Sequence, residues 1–116
     1  MKKIILSAFM ALLANKAIAG YVEGQDLNRV YVDSDGFAYF GTSSQPPNTC
    51  NFFGEYFRLD VKTDSGKAML SILLSSKMAQ KKIIIWYNES TSIGTNHSTG
   101  CSVITMSSVT AVGVNQ

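Results

Sequence analysis

Hydrophobic and polar residues alternate with a period of two along much of the chain, a spacing that is typical of half-buried β-strands. In the first such segment Val30 and Val32 share one face, while Tyr31 lies on the other. The turn signal Asp35-Gly36 follows and the alternation then resumes, which predicts a β-hairpin. Five strands are predicted in all, at residues 27–33, 37–41, 50–61, 83–87 and 101–114.

Between the third and fourth predicted strands the spacing changes to that of a helix. Residues 66–80 contain no proline, and Asp64 or Ser65 is placed to cap the N-terminus. Apolar side chains cover most of the helix circumference, so we expect burial on two sides. One side packs on the domain's own sheet and the other on a second copy of the chain; the alternative is an ordinary core helix. The residues predicted at that interface are Met69, Ile72, Leu73 and Ser76.

The order of these elements predicts a mainly β fold with one helix. A helix between the third and fourth strands of a five-stranded barrel, in the order β-β-β-α-β-β, is the arrangement of the oligonucleotide/oligosaccharide-binding (OB) fold. Residues 20–116 have the length of one small domain. A domain of this size buries only about 60–65% of its unfolded surface, so a covalent crosslink is expected to stabilise it.

The N-terminus has the features of a secretory signal peptide at residues 1–19. Two lysines precede an apolar stretch, and the small residues Ala17 and Ala19 favour cleavage before Gly20. The apolar stretch is too short to cross a bilayer. We therefore expect a secreted or periplasmic mature chain with no membrane span. The alternative is an uncleaved N-terminal core helix.

Export also bears on the two cysteines, Cys50 and Cys101. An oxidising compartment favours a disulfide between them, and two free buried thiols are the alternative. The bond closes a loop of about 50 residues, for which the chain-entropy account gives a stabilisation of about 4 kcal/mol.

Charge and composition exclude several classes of function. The full chain has ten basic and eight acidic residues, but three lysines lie in the predicted leader, so the mature chain carries a charge of −1. This charge disfavours nucleic acid as a partner. One histidine and two cysteines do not make a zinc cluster, and His97 belongs to no recognisable catalytic motif. We expect no enzyme activity, no metal and no cofactor.

One longer pattern resembles a known family. It consists of the sequence DSGKAMLSILLSSKM at residues 64–78, the strand KIIIWY at residues 82–87 and a last strand that begins with Cys101. Small secreted proteins like the subtilase cytotoxin B subunit share this pattern, and they group with the pertussis-like and typhoid-like toxin B subunits. The resemblance implies a ring of five subunits with the helices around a central pore. It further implies that the ring binds sialylated or other cell-surface glycans and delivers a separate catalytic A subunit.

The resemblance also implies a glycan site at the end of the fourth strand. Tyr87 matches the position of a glycan-contacting tyrosine in the cytotoxin B subunit. Trp86 offers a second ring for stacking on a sugar, although neighbours on a strand point to opposite faces, so that one ring faces the core. Asn88, Glu89 and Ser90 follow and supply groups that hydrogen-bond sugar hydroxyls, unless this loop is simply solvated.

A different function remains as the alternative. The chain is then a stand-alone exported OB-fold domain that binds a protein partner, as an inhibitor or an envelope-associated factor. A monomer in solution is the expected outcome in that case.

Overall fold

The computed structural model describes residues 19–115, and the signal peptide predicted at residues 1–19 lies outside this range except for its last residue. The expected mainly β composition with one helix is confirmed. In chain order the elements are β1 (Ala19–Gln25), β2 (Leu27–Val32), β3 (Phe37–Thr42), β4 (Cys50–Asn51), β5 (Phe57–Asp60), α1 (Asp64–Met78), β6 (Lys82–Asn88), β7 (Gly94–Thr95), a 3₁₀ helix (Asn96–Thr99) and β8 (Ser107–Asn115).

Six of the strands form one mixed sheet in the order β1-β6-β8-β5-β3-β2. Neighbouring strands are antiparallel except for β5 and β8, which are parallel. The outermost strands, β1 and β2, are consecutive in the chain and only Asp26 separates them. The short strands β4 and β7 form a separate parallel pair.

The main core lies between this sheet and one side of α1. The rings of Phe40 and Phe57 have centroids 5.2 Å apart, and Phe57 also contacts Tyr87 edge to face at 5.1 Å. From the helix, Leu73 is completely buried against them. The buried members of this core are Leu27, Ala38, Phe40, Phe57, Leu59, Leu73, Ile83, Ile85, Tyr87 and Val109.

A second, smaller cluster surrounds the disulfide. Cys50 and Cys101 are bonded, as predicted, with Cα atoms 5.6 Å apart. Tyr39 and Met106 are buried with them. Since Tyr39 alternates along β3 with core residues, this cluster lies on the opposite face of the sheet from the main core. The disulfide therefore fixes the loops that cover that outer face.

Helix α1 begins and ends two residues earlier than the predicted range of 66–80. Its cap is Thr63 and neither Asp64 nor Ser65: the Thr63 Oγ1 accepts a hydrogen bond from the N–H of Gly66 at 3.0 Å. Gly66 lies so close to a carbonyl oxygen of β5 that no Cβ fits there. This contact holds the start of the helix directly over the end of the preceding strand.

The strand predicted at residues 27–33 is confirmed as β2, and the structure adds β1 (Ala19–Gln25) before it. Two strand predictions are corrected. The third is not one strand over residues 50–61 but two, since Phe53 and Gly54 have φ angles of 55° and 92° and reverse the chain. The last begins only at Ser107, because residues 101–106 form turns beside the disulfide.

Candidate functional site

The strand β6 separates the two neighbouring aromatic residues Trp86 and Tyr87. Tyr87 faces the core: it is 1% exposed, and its hydroxyl donates a hydrogen bond to the Pro47 carbonyl at 2.8 Å. Burial raises the pKa of Tyr87, and the charge of Glu89 raises it further. The expectation that Tyr87 contacts a glycan therefore needs correction, since its ring is not accessible to a ligand.

Trp86 lies on the opposite face of β6 and is 39% exposed. Tyr21 of β1 is its directly opposed partner, and the two rings lie 5.4 Å apart at an angle of 49°. The Tyr21 hydroxyl donates a hydrogen bond to Glu23 Oε2 at 2.8 Å, and this bond raises the pKa of Tyr21. We call this exposed aromatic pair the Trp86–Tyr21 platform.

The strand β8, which pairs with β6 on the side opposite β1, carries a small residue next to Trp86. Ala111 of β8 is the partner of Trp86 in the strand register, so Tyr21, Trp86 and Ala111 form one row across three strands. Ala111 offers only a methyl group on this side of Trp86, whereas the ring of Tyr21 lies beside the indole on the other neighbouring strand. An exposed aromatic face beside a shallow neighbour is suited to receive a flat, partly apolar ligand.

The predicted polar residues after β6 have different environments. Asn88 is exposed at the end of the strand. Glu89 accepts a hydrogen bond from the side-chain amide of Asn48. Ser90 is buried; its hydroxyl donates to the Thr105 carbonyl, and its N–H donates to the Asn48 carbonyl at 3.0 Å. Asn88 is thus open to a ligand, whereas Glu89 and Ser90 hold the loop in place.

The predicted interface residues on α1 also divide into two groups. Leu73 and Ser76 are 0% and 2% exposed and lie inside the protein, which corrects their assignment to a contact with another copy. Met69 is half-buried and Ile72 is 37% exposed. The apolar residues on the exposed side of α1, which we call the outer helix face, are Ile72, Leu74 and Met78. Leu74 and Met78 are four residues apart and share one stripe, whereas Ile72 lies at the other edge of this side.

A cleft of about 330 Å³ lies near the C-terminal end of α1. Asp26 and Lys81 line its polar side, together with Ser76, whose buried hydroxyl has no hydrogen-bond partner within residues 19–115. Lys82 pairs with Asp26 at 3.0 Å and Lys77 donates to the Leu27 carbonyl at 3.0 Å. The Lys77 hydrogen bond joins the end of α1 to the junction of β1 and β2, and the Lys82–Asp26 pair joins the start of β6 to the same junction.

Within residues 19–115 no three histidine, cysteine, aspartate or glutamate side chains come together as a metal site would require. No helix in this part of the chain combines the length and apolar character of a membrane span.

Two accessible aromatic residues were not anticipated from the sequence. Tyr21 precedes the first predicted strand, and its position beside Trp86 follows only from the pairing of β1 with β6. Phe53 lies in the turn that interrupts the predicted third strand and is 61% exposed. Gly54 within the predicted third strand indicates a bulge or a sharp bend, since glycine in a strand marks such a site, and the structure confirms the bend. The sequence did not indicate that Phe53 is exposed there. No family model, curated protein or solved structure matches this chain.

Proposed function

We propose that the sheet is a five-stranded OB-type barrel in which β1 and β2 are two halves of one bent strand. These strands are separated by Asp26 alone, and they pair with β6 and β3 respectively. Counting them as one strand gives the sequence order β-β-β-α-β-β. The strands β5 and β8, which lie on either side of α1 in the sequence, pair in parallel, and this pairing supports the same assignment.

On this scaffold we propose a non-catalytic, exported subunit that binds a cell-surface glycan. The observation that carries the proposal is the Trp86–Tyr21 platform, in which two rings remain 39% and 49% exposed although each lies on a paired strand. Sugar rings present C–H groups on one face, and these stack on aromatic rings while the hydroxyls bind polar neighbours. The exposed polar residues Glu23 and Asn88 lie next to the platform, each two positions along its strand from Tyr21 and Trp86 respectively.

The second part of the proposal is that the subunit forms a homo-oligomeric ring, in line with the toxin B subunits that the sequence resembles. Its support is the outer helix face, where Ile72, Leu74 and Met78 are 37%, 42% and 87% exposed. An apolar helical surface of this kind gains free energy when a second copy covers it. A pentamer around a central pore, able to deliver a catalytic A subunit, is the assembly we propose.

The test of glycan binding uses the mature protein and a panel of sialylated and neutral glycans. We expect binding to at least one member and a loss of affinity of about tenfold in Trp86→Ala, the upper range for one stacked ring. Tyr31→Ala is the matched control, since Tyr31 is 42% exposed but lies on β2. Its affinity should equal that of the wild-type protein. A panel without any binding, combined with a monomeric mass, would support the alternative of an exported domain with a protein partner.

A further inference from the structure

The turn formed by residues 52–55 has an unusual composition for its geometry. Phe52 and Glu55 exchange both backbone hydrogen bonds, at 2.9 and 3.2 Å, which leaves Phe53 and Gly54 as a two-residue loop. Both loop residues have positive φ, 55° and 92°, as in a type I′ turn. The first position of such a turn favours Asn, Asp or Gly, because a bulky side chain is strained in the left-handed region.

Burial of the Phe53 side chain does not offset the backbone strain at this position. It is 61% exposed and belongs to neither buried cluster. Its ring contacts other aromatic rings edge on, with centroids 4.7 Å from Phe52 and 6.2 Å from His97. A strained backbone that presents an exposed aromatic ring is more typical of a binding site than of a structural turn.

The surrounding structure holds this turn rigidly. Asn96 Oδ1 accepts a hydrogen bond from the Phe53 N–H, and Asn51 Oδ1 accepts one from the Gly54 N–H, both at 2.9 Å. Arg29 donates to the Phe53 carbonyl at 3.4 Å. The disulfide at Cys50 and the pairing of β4 with β7 tie the same segment to the loop of residues 94–101. Phe53 is therefore presented with little conformational freedom to lose on binding.

The local charges indicate the class of ligand. Arg29 donates from Nε to Glu55 Oε1 at 2.8 Å and also from Nη2 to the same oxygen, and Glu55 is 3% exposed. Within the described residues, the ion pair beside this turn is Arg29–Glu55, and the charges of its two side chains balance each other. The side-chain amide of Asn96 lies at the turn, where its oxygen accepts the hydrogen bond from the Phe53 N–H. An uncharged aromatic ring beside an amide matches the apolar face of a neutral sugar better than a charged one.

We propose that Phe53 forms a second carbohydrate-contact point, which stacks on the apolar face of a neutral pyranose. This proposal rests on the proposed glycan-binding function but uses residues separate from the Trp86–Tyr21 platform. The ring of His97 borders the same surface, and Asn96 positions the turn through its hydrogen bond.

The test compares Phe53→Asn with Phe53→Tyr in the mature protein. Asparagine suits the left-handed position and removes the ring, so we expect equal or higher thermal stability together with at least a fivefold loss of affinity for neutral glycans. Tyrosine keeps the ring and should retain binding. Lactose and N-acetylglucosamine, titrated at millimolar concentrations, should shift the amide NMR signals of Phe53 and His97 in the wild-type protein.

The outcomes separate this proposal from the function on which it rests. Loss of binding in Trp86→Ala with full binding in Phe53→Asn overturns the second contact point and leaves the platform intact. Absence of signal changes near Phe53 with both sugars also overturns it. A Phe53→Asn variant that keeps its sugar affinity but changes the sedimentation of the protein assigns Phe53 to contact between copies, which again overturns the proposal. Failure of the proposed function itself appears as a lack of binding across the whole glycan panel by every variant.

Discussion

Gly20 on β1 lies directly against the ring of Tyr87 on β6, and the two residues are partners in the strand register. A Cβ atom at residue 20 would overlap Cε2 and Cζ of the tyrosine. The tyrosine has little freedom to move, because its hydroxyl is bonded to Pro47 and its ring packs against Phe57. The missing side chain at residue 20 thus allows β1 to pair closely with β6.

Gly20→Ala should therefore destabilise the protein by about 1–3 kcal/mol, the usual cost of overpacking a core. Urea unfolding of the mature protein measures this change. In a Tyr87→Leu background the same substitution should cost less, because the smaller side chain leaves room for the added methyl group. An equal cost in both backgrounds would show that the contact with Tyr87 is not the reason for the glycine.

The disulfide yields a second prediction. Replacing both Cys50 and Cys101 with alanine should lower the free energy of unfolding by about 2–5 kcal/mol, because the long loop between them is no longer closed in the unfolded chain. A reducing agent should have the same effect on the wild-type protein and none on the double variant. An unchanged urea midpoint in the reduced wild-type protein would contradict the prediction.

Much of the fold could be predicted from local sequence signals. The period of the apolar residues located α1, and the β-branched run before Trp86 located β6. The hairpin of β2 and β3 followed from alternation around Asp35-Gly36. The disulfide followed from the predicted compartment and the cysteine count. Each of these signals is contained within one segment or within the composition.

The remaining features depend on contacts between distant segments. β1 has a strand geometry because it pairs with β6, although Gly20 and Gly24 weaken its local β propensity. Likewise, the choice between Trp86 and Tyr87 as the core residue depends on which face of β6 meets the helix. The alternation along β6 is equally compatible with Trp86 or with Tyr87 on the buried face, so the sequence pattern alone could not identify the accessible ring.

Asp33 provides a prediction for pH dependence. Its Oδ1 accepts hydrogen bonds from the N–H groups of Asp35 and Phe37 at 3.0 and 3.2 Å, and its Oδ2 accepts one from the Tyr39 hydroxyl at 3.0 Å. Desolvation raises the pKa of Asp33, but these hydrogen bonds together lower it by more, so that it lies below the usual 3.8. The carboxylate thus stabilises the folded state at neutral pH.

Because the folded-state pKa is the lower one, this stabilisation is complete above pH 3.8 and is lost as the pH falls through the folded-state value. Asp33→Asn should therefore be less stable than the wild-type protein at neutral pH, and the difference should shrink below pH 3.8. Chemical unfolding at a series of pH values measures it. Tyr39→Phe removes one donor and should reduce the same difference. Two parallel stability curves through the acid range would contradict the assignment.

The two sides of α1 allow assembly to be separated from folding. Leu73 is completely buried, so Leu73→Ala should lower the free energy of unfolding by about 2–5 kcal/mol. Ile72 and Met78, on the outer helix face, are 37% and 87% exposed. Ile72→Glu and Met78→Glu should each leave the fold of a single chain intact, since neither residue belongs to the core.

If the outer helix face joins copies of the chain, the effect of these glutamates appears in the mass of the particle. A carboxylate placed in an apolar contact between subunits is desolvated without a partner, which strongly disfavours assembly. We expect light scattering to show an oligomer for the wild-type protein and a monomer for Met78→Glu, with matching far-UV circular dichroism. Ile104→Glu is the control, because it places the same carboxylate on an apolar residue that is 73% exposed but lies in the turns of residues 101–106, away from α1. A wild-type protein that remains monomeric at high concentration would contradict the ring, whatever the variants show.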